Sequence, residues 1–355
     1  MKRIKAAPGI MACAAGCALA CTVAGNAAAQ TNVTAMGLVD MYAGASQFSG
    51  VAQRSTVVGS GGLTTSWFGF KGSEELGGGL RAEFALTGFF RGDTGSSGRF
   101  NGDNLFSRDA NIGLAGSFGK VQLGRGLAPN FLPTVLFNPF GDSFTFSPLV
   151  VHADMSGSAA WGGPTNAADT GWSNQVVYSS PKIGGLTANV HYQFGEVTGQ
   201  TGTNNVGANL LYFNGPLGLT AFYHDTDVSN PNPAVTPNKQ KTAFAGASYD
   251  FKLLKLAATF QRNDNESAAT GARTSLDKTW SLGAWVPAGG GNVLAAYART
   301  RRDLAAAPDL TRRSFSIGYD YFLSKRTDLY AVAMNDKLSG YDDETSYGLG
   351  IRHRY

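Results

Sequence analysis

The last nine residues of the chain alternate strictly between two kinds of side chain. Tyr347, Leu349, Ile351, His353 and Tyr355 fall on one face of a strand, whereas two glycines and two arginines fall on the other. An edge strand of a water-soluble sandwich would not carry two arginines on its second face and then end at an aromatic residue. A strand that meets lipid on one side and water on the other has this pattern, with its last ring at the membrane interface. The chain end therefore predicts a transmembrane β-strand.

The first 29 residues have the form of a cleaved signal peptide. Three basic residues precede an apolar stretch (11–24), and Ala27-Ala28-Ala29 offers a cleavage site before Gln30. All three cysteines lie inside this segment; lipidation of Cys17 or Cys21 is less favoured, because alanine stands three positions upstream of each. Cleavage lowers the formal net charge from +4 to +1, since three basic residues are removed. So small an excess does not indicate a nucleic-acid partner.

Composition points to strands as the membrane-crossing elements. The chain has 47 glycines and 22 phenylalanines but only 15% charged residues, which is unusual for a soluble domain. Beyond the signal peptide no apolar run approaches the roughly 20 residues that a membrane helix needs. Because lipid cannot satisfy backbone hydrogen bonds, strands can span a bilayer only as a closed barrel.

Segments with period-two alternation recur along residues 30–355, which we interpret as one domain. They are separated alternately by short turns and by longer polar segments, as in an up-and-down barrel. The predicted fold is all-β, a transmembrane antiparallel barrel of sixteen strands. The predicted strands are 32–44, 64–72, 80–91, 108–115, 120–126, 171–180, 186–195, 206–213, 219–228, 241–251, 255–263, 275–286, 292–302, 312–322, 327–335 and 347–355.

The third long connection, 127–170, is the predicted functional element and is called loop 3 below. Connections of this length are usually functional or disordered. Disorder is not favoured here, because many of its residues are apolar or aromatic, among them Phe137, Phe140, Phe144 and Phe146. We therefore expect loop 3 to fold into a water-filled lumen and narrow it.

Several segments resemble the general porin family of betaproteobacteria, as found in Neisseria, Bordetella and Burkholderia. These are Leu123-Gly124-Arg125, Asn138-Pro139-Phe140-Gly141-Asp142, the strand 172–181 and the closing residues 350–355. The resemblance implies a homotrimer in the outer membrane of a Gram-negative bacterium, with loop 3 as the eyelet of each barrel. Many porins carry Pro-Glu-Phe-Gly in this loop. Here Pro139 and Gly141 are expected to keep the turn, while the acid follows as Asp142.

The resemblance also implies partners. Tyr355 would be the signal read by the barrel assembly machinery, and the outer wall would meet lipid and lipopolysaccharide. Small hydrophilic solutes and anions would be the cargo, with no bound cofactor or metal. Deletion of Tyr355 is expected to impair insertion.

Charged residues near loop 3 are the predicted pore constriction. Alternation places Arg81, Glu83 and Arg91 in the lumen, whereas Arg108 and Arg125 share the parity of lipid-facing residues but lie at strand ends, where a long side chain can reach the pore. A rim charge or a wall salt bridge remains the alternative for each arginine. Loop 3 supplies the acids, and the predicted set is Arg81, Glu83, Arg91, Arg108, Arg125, Asp142 and Asp154.

These features predict a general diffusion porin with a mild anion preference. A substrate-specific outer-membrane channel is the alternative, and a plugged structural barrel is a further one. No enzyme is predicted: a barrel lipase would need a serine–histidine pair facing lipid, and His191 has lumen parity. Neither zinc-ligand spacing nor a nucleotide motif occurs in the sequence.

Overall fold

The structure is a computed structural model that describes residues 31–199, 202–232 and 234–355. The predicted signal peptide, 1–29, lies outside the described residues. Within the described part, no helix is long and apolar enough to cross a membrane.

Eighteen strands and three short helices make up the described chain. The strands are β1 (Thr31–Ser46), β2 (Ser55–Ser60), β3 (Trp67–Gly77), β4 (Leu80–Arg91), β5 (Ser96–Ser97), β6 (Asp109–Gly116), β7 (Gly119–Leu127), β8 (Gly171–Ser179), β9 (Leu186–Phe194), β10 (Asn204–Asn214), β11 (Leu217–Val228), β12 (Val235–Asp250), β13 (Lys255–Ser267), β14 (Arg273–Ala288), β15 (Gly291–Leu304), β16 (Leu310–Phe322), β17 (Thr327–Leu338) and β18 (Glu344–Arg354). Helices α1 (Phe131–Val135) and α2 (Pro148–Asp154) and a 3₁₀ turn (Ala159–Trp161) lie in loop 3.

Together these strands form a closed wall that is sixteen strands around. Successive wall strands pair antiparallel, and β18 closes the barrel on β1, from Leu38 opposite Arg354 to Ala45 opposite Tyr347. Both β2 and β3 pair with the same edge of β1, so together they make one wall strand. The two residues of β5 pair only with the end of β4. The predicted sixteen-stranded barrel is confirmed.

Side chains are distributed as a lipid-facing wall requires. On β9, Val190, Tyr192 and Phe194 are exposed outward, whereas His191 and Gln193 are buried inside. Apolar-out and polar-in alternation is the reverse of a soluble β-domain and follows from lipid outside and water or loops inside.

The second wall strand differs from its prediction. Residues 61–66 leave the wall between β2 and β3, and the prediction had assigned 55–60 to a loop. The buried carboxylate of Asp40 accepts hydrogen bonds from the amides of Gly62, Leu63 and Thr64. Tyr330 Oη also donates to Asp40, from the far side of the barrel seam. The excursion is thus held in place from β1 and β17.

Candidate pore constriction

Loop 3 is bonded to inward-facing polar side chains of several strands. Asn209 of β10 donates to the carbonyl of Pro129, and Asn263 of β13 donates to the carbonyl of Thr165. The ring nitrogens of buried His152 lie 2.8 Å from Thr300 Oγ1 of β15 and 2.8 Å from Ser314 Oγ of β16. Because these partners sit on separate strands, loop 3 is fixed along much of its length.

On another side, loop 3 contacts the excursion 61–66. Ser143 Oγ donates to the carbonyl of Gly62, and Thr145 Oγ1 donates to the carbonyl of Gly61. Asp40 therefore holds the segment on which the tip of loop 3 docks.

An apolar cluster joins loop 3 to the closing strands. Its buried members are Leu63, Phe140, Phe146, Val151, Leu294, Ala296, Tyr330, Val332 and Met334. Opposite the tip, Gly283 of β14 is required, because a Cβ there would lie 2.3 Å from Pro139 Cδ. Two of the aromatic residues that predicted an ordered loop, Phe140 and Phe146, are thus in the cluster with residues of β15 and β17.

The tip of loop 3 is a tight turn. Gly141 has φ +52°, a left-handed conformation that glycine adopts without strain. Asn138 closes the turn, since its Nδ2 donates to the carbonyls of Thr134 and Gly141 and its Oδ1 accepts from the amide of Phe140. Asp142 follows directly and is only partly buried.

Loop 3 and the wall enclose a narrow cavity and a wider one. The narrow one lies beside the tip and is lined by Thr65, Phe89, Arg99, Ser107, Arg108, Arg125, Leu127, Phe131, Asp142, Phe144, Thr170 and Gly171. The wider one, about 510 Å³, extends toward the short turns and includes Lys71, Glu83, Asp109, Lys120 and Arg125 in its lining. Arg125 lines both cavities.

Arg125 points inward because the strand is irregular. The register of β7 against β8 shifts between Gly124 and Gly126, and Gly124 has φ +115°. This bulge reverses the alternation, so that Arg125 leaves the parity of lipid-facing Leu123. Its buried guanidinium donates to the carbonyls of Ser107 and Gly171.

Arg108 is held differently. Its guanidinium carbon lies 4.0 Å from the ring centroid of Trp67, and Nη1 lies 2.6 Å from Asp109 Oδ2. Stacking on an aromatic face and a carboxylate fix the position of the charge beside the narrow cavity.

Arg99, which sequence reasoning missed, completes the basic side of the narrow cavity. It donates to both carboxylate oxygens of Asp169, at 2.8 and 3.0 Å, and also pairs with Asp103. Burial alone would raise the pKa of Asp169, but the charge and hydrogen bonds of Arg99 outweigh it and lower that pKa. Asp169 also lies 3.5 Å from Arg125, so one carboxylate bridges two arginines.

Four predicted site residues lie away from the narrow cavity: Arg81, Glu83, Arg91 and Asp154. Arg81 is half-exposed and pairs with Glu83 at 3.3 Å, while Glu83 also meets Lys120 at 3.7 Å, at the wider cavity. Arg91, at the other end of β4, donates to Asn101 at 2.9 Å. The narrow cavity brings together Arg108, Arg125 and Asp142 from the predicted set.

The acids of loop 3 have altered proton affinities. Burial raises the pKa of Asp142, partly offset by a hydrogen bond from Thr64. Burial also raises the pKa of Asp154 to about 7, although Asn166 Nδ2 donates to it at 2.8 Å; nearby Asp169 adds to the rise. Asp154 is thus bonded to Asn166 within loop 3 and does not line the narrow cavity.

The pKa of Asp154 predicts a pH effect on stability. Because the folded protein holds this proton more tightly than the unfolded chain, the stabilisation is complete below about pH 4 and is lost as pH rises through 7. Asp154→Asn should flatten this part of the pH dependence, as measured by unfolding temperature in detergent between pH 4 and 8. Parallel curves for the variant and the unmodified protein would contradict the assignment.

Comparison with known proteins places this geometry in a family. A sequence model of the Gram-negative porin family matches residues 14–341. Outer membrane porin protein 32 of Delftia acidovorans is 32% identical over 313 residues, covering 86% of this chain and 84% of the relative. The chain belongs to the Gram-negative porin family. It is therefore an outer-membrane protein.

Further similarities agree with that assignment. An outer membrane porin protein of Bordetella pertussis is 28% identical over 395 residues, covering 95% of this porin and 98% of the relative. The solved anion-selective porin from Comamonas acidovorans superposes with a TM-score of 0.73 at 27% identity, covering 92% of this chain and all of that one. OmpT of Vibrio cholerae, as a loop-deletion variant, shares the fold at 13% identity and a TM-score of 0.70 over 92% and 99% of the two chains.

Proposed function

We propose that this porin lets small hydrophilic solutes and ions diffuse passively through a water-filled pore constricted by loop 3, with a mild preference for anions. The observation that carries the proposal is the anchoring of loop 3. Its bonds to β10, β13, β15, β16 and the excursion 61–66 hold it inside the barrel, with the two cavities on the side of β4 and β7. The open path then runs past Arg108, Arg125 and Asp142, which we assign to the constriction.

The anion preference follows from the balance of charges along this path. At the narrow cavity, Arg99 and Arg125 share Asp169, and Arg108 is paired with Asp109. Lys71, which lines the wider cavity and is exposed, forms no ion pair within the described residues. Its charge is therefore available to a passing anion, and charged side chains in a pore alter relative permeability. The anion-selective porin from Comamonas acidovorans, described above, supports a preference for anions.

Planar-bilayer recording tests the proposal. Ohmic steps and a reversal potential on the anion side are expected, with a preference that shrinks as salt rises, because charges are screened over about 8 Å at physiological salt. Lys71→Gln should shift the reversal potential toward cations, whereas Lys71→Arg should leave it unchanged. Current steps that one ligand blocks would favour a substrate-specific channel. The absence of any current steps would favour a plugged barrel. Cation preference in the unmodified protein would overturn the assigned sign.

The proposal includes no catalytic step, since the similar proteins are porins. Incubation of the purified protein with phospholipid should release no fatty acid.

We also propose that three copies assemble and that Tyr355 serves as the assembly signal. Tyr355 exchanges two backbone hydrogen bonds with Gly37 of β1, so the terminal residue lies at the closing seam. Deleting Tyr355 should lower the outer-membrane level while secretion to the periplasm continues, as immunoblots of cell fractions would show. Gels of detergent extracts, run with and without heating, should show a trimer that heat dissociates. Normal outer-membrane levels of the chain without Tyr355 would show that Tyr355 is not the assembly signal.

A further inference from the structure

Three cations lie side by side on the outer face of the barrel. Arg299 of β15 is directly opposite Arg313 of β16, and Arg313 is directly opposite Lys337 of β17. All three point outward, because the residues that alternate with them, such as Thr300 and Ser314, are buried inside. We call Arg299, Arg313 and Lys337 the cation row.

The cation row is unfavourable as it stands. Side chains directly opposite on paired antiparallel strands have Cβ atoms about 4.5–5.5 Å apart, and like charges there are destabilising. Among the residues that the structure describes, none forms an ion pair with Arg299, Arg313 or Lys337; Asp343, an acid near Lys337, is bonded to Asn335. An anion from outside the chain would remove this repulsion.

Other outward cations on the same face have acids beside them. Arg262 lies 2.8 Å from Asp264, and Arg301 lies 2.6 Å from Asp303, which also meets Lys278 at 3.7 Å. These three cations therefore have ion pairs, whereas the cation row has none among the described residues. These three paired cations supply a matched comparison.

An apolar groove lies on the same strands, nearer the bilayer centre. It has a volume of about 440 Å³ and a floor of small residues on β17, Ala331 and Ala333. Its sides include Ile317 and Tyr319 of β16 and Leu349 of β18. From Arg313 to Ile317 is four residues, roughly 13 Å along the strand.

The cation row lies at the end of the wall opposite the short turns. Arg313 is near the start of β16 and Lys337 near the end of β17, beside the connections 305–309 and 339–343. In a porin whose short turns face the periplasm, this end meets the outer leaflet. The row then stands at headgroup level, with the groove among the acyl chains.

We propose that the cation row and the groove form a binding site for a phosphorylated glycolipid of the outer leaflet, the lipid A part of lipopolysaccharide. A phosphate would lie on the row, and an acyl chain of the same molecule would lie in the groove. A free phosphate would leave the groove empty, and a second copy of the chain packed here would bury cations without partners, which is costly. The inference rests on the outer-membrane location and is independent of the pore's selectivity.

Native mass spectrometry of the detergent-solubilised protein with added lipid A tests the site. The triple variant Arg299→Gln, Arg313→Gln, Lys337→Gln should bind bisphosphorylated lipid A about 100-fold more weakly, at about fivefold per cation near an anionic surface. The control Arg262→Gln, Lys278→Gln, Arg301→Gln removes the same charge from the same face. It should bind as the unmodified protein does.

Two further comparisons separate charge from shape. Lipid A without phosphates should bind the unmodified protein and the triple variant equally weakly. Ala333→Phe, which fills the groove, should weaken binding of bisphosphorylated lipid A although the cation row is intact. The triple variant should unfold at no lower temperature than the unmodified protein in lipid-free detergent, because it removes repulsion.

Several results would overturn the site. Unchanged lipid A binding by the triple variant would do so, as would equal binding of phosphorylated and dephosphorylated lipid A by the unmodified protein. Dissociation of the oligomer on neutralising the row would show that a second copy covers this face. Bilayer currents of the triple variant should keep their selectivity, so failure of this inference and failure of the proposed pore function are distinguishable.

Discussion

Replacing Arg302 with methionine should destabilise the barrel by about 3–5 kcal/mol, the cost of breaking a buried ion pair by removing one partner. Arg302 and Asp277 are both buried, with nitrogen–oxygen distances of 2.7 and 3.2 Å. The same guanidinium donates to the carbonyl of Trp161 at 2.7 Å, and its carbon lies 4.3 Å from that ring's centroid. The substitution leaves Asp277 unpaired and releases the far end of loop 3. A lower unfolding temperature and noisier single-channel current should follow.

The neighbouring residue provides the control. Arg301 points outward and pairs with Asp303 and Asp309 at the surface, where such pairs contribute little, so Arg301→Met should leave the unfolding temperature nearly unchanged. Replacing both Arg302 and Asp277 by apolar residues should recover much of the lost stability, because no buried charge is left unpaired. If Arg302→Met behaved like Arg301→Met, the pair would not be anchoring loop 3.

The wall of the barrel was predictable because its two faces meet different solvents. Lipid outside and polar contents inside give each strand an alternating pattern that a reader of the sequence can follow. The pattern failed where the wall is broken. Residues 55–60 pair with β1 but were predicted as part of a loop, whereas residues 64–66 were predicted as strand and lie in the excursion 61–66.

Individual site residues depend on geometry that alternation does not contain. The sequence shows Gly124, but not its φ of +115°, and the bulge there is what brings Arg125 inward. Arg99 was missed for a different reason. Its partner Asp169 is 70 residues away, and nothing near Arg99 in the sequence marks it as a residue of the narrow cavity.

The aromatic content of loop 3 correctly indicated an ordered segment, since Phe140 and Phe146 are buried. Its polar anchors could not be identified in the same way. Asn209 and Asn263 look like any other inward residue of a strand with a wet interior, and only the folded chain pairs them with carbonyls of loop 3. The inward polar residues therefore predict that the barrel has a polar lumen. They do not predict which of these side chains contact water and which bind loop 3.

Replacing Asp40 with alanine should have the second large effect. The fully buried carboxylate accepts from three backbone amides of the excursion 61–66 and from Tyr330 Oη. Its removal leaves these donors buried without an acceptor, at about 1–3 kcal/mol for each group that water cannot reach. A total loss on the order of 3–5 kcal/mol is expected, since part of the segment can relax toward water.

Removal of the Asp40 carboxylate should also alter the single-channel conductance. The carbonyls of Gly61 and Gly62 accept from Thr145 and Ser143 of loop 3, so a displaced excursion also frees the tip that carries Asp142. Asp40→Ala should therefore lower the unfolding temperature and also broaden the distribution of single-channel conductance. Tyr330→Phe, which removes one donor and keeps the amides bonded, should cost much less and leave the conductance narrow. A narrow distribution in Asp40→Ala would show that the tip of loop 3 is held by its apolar cluster alone.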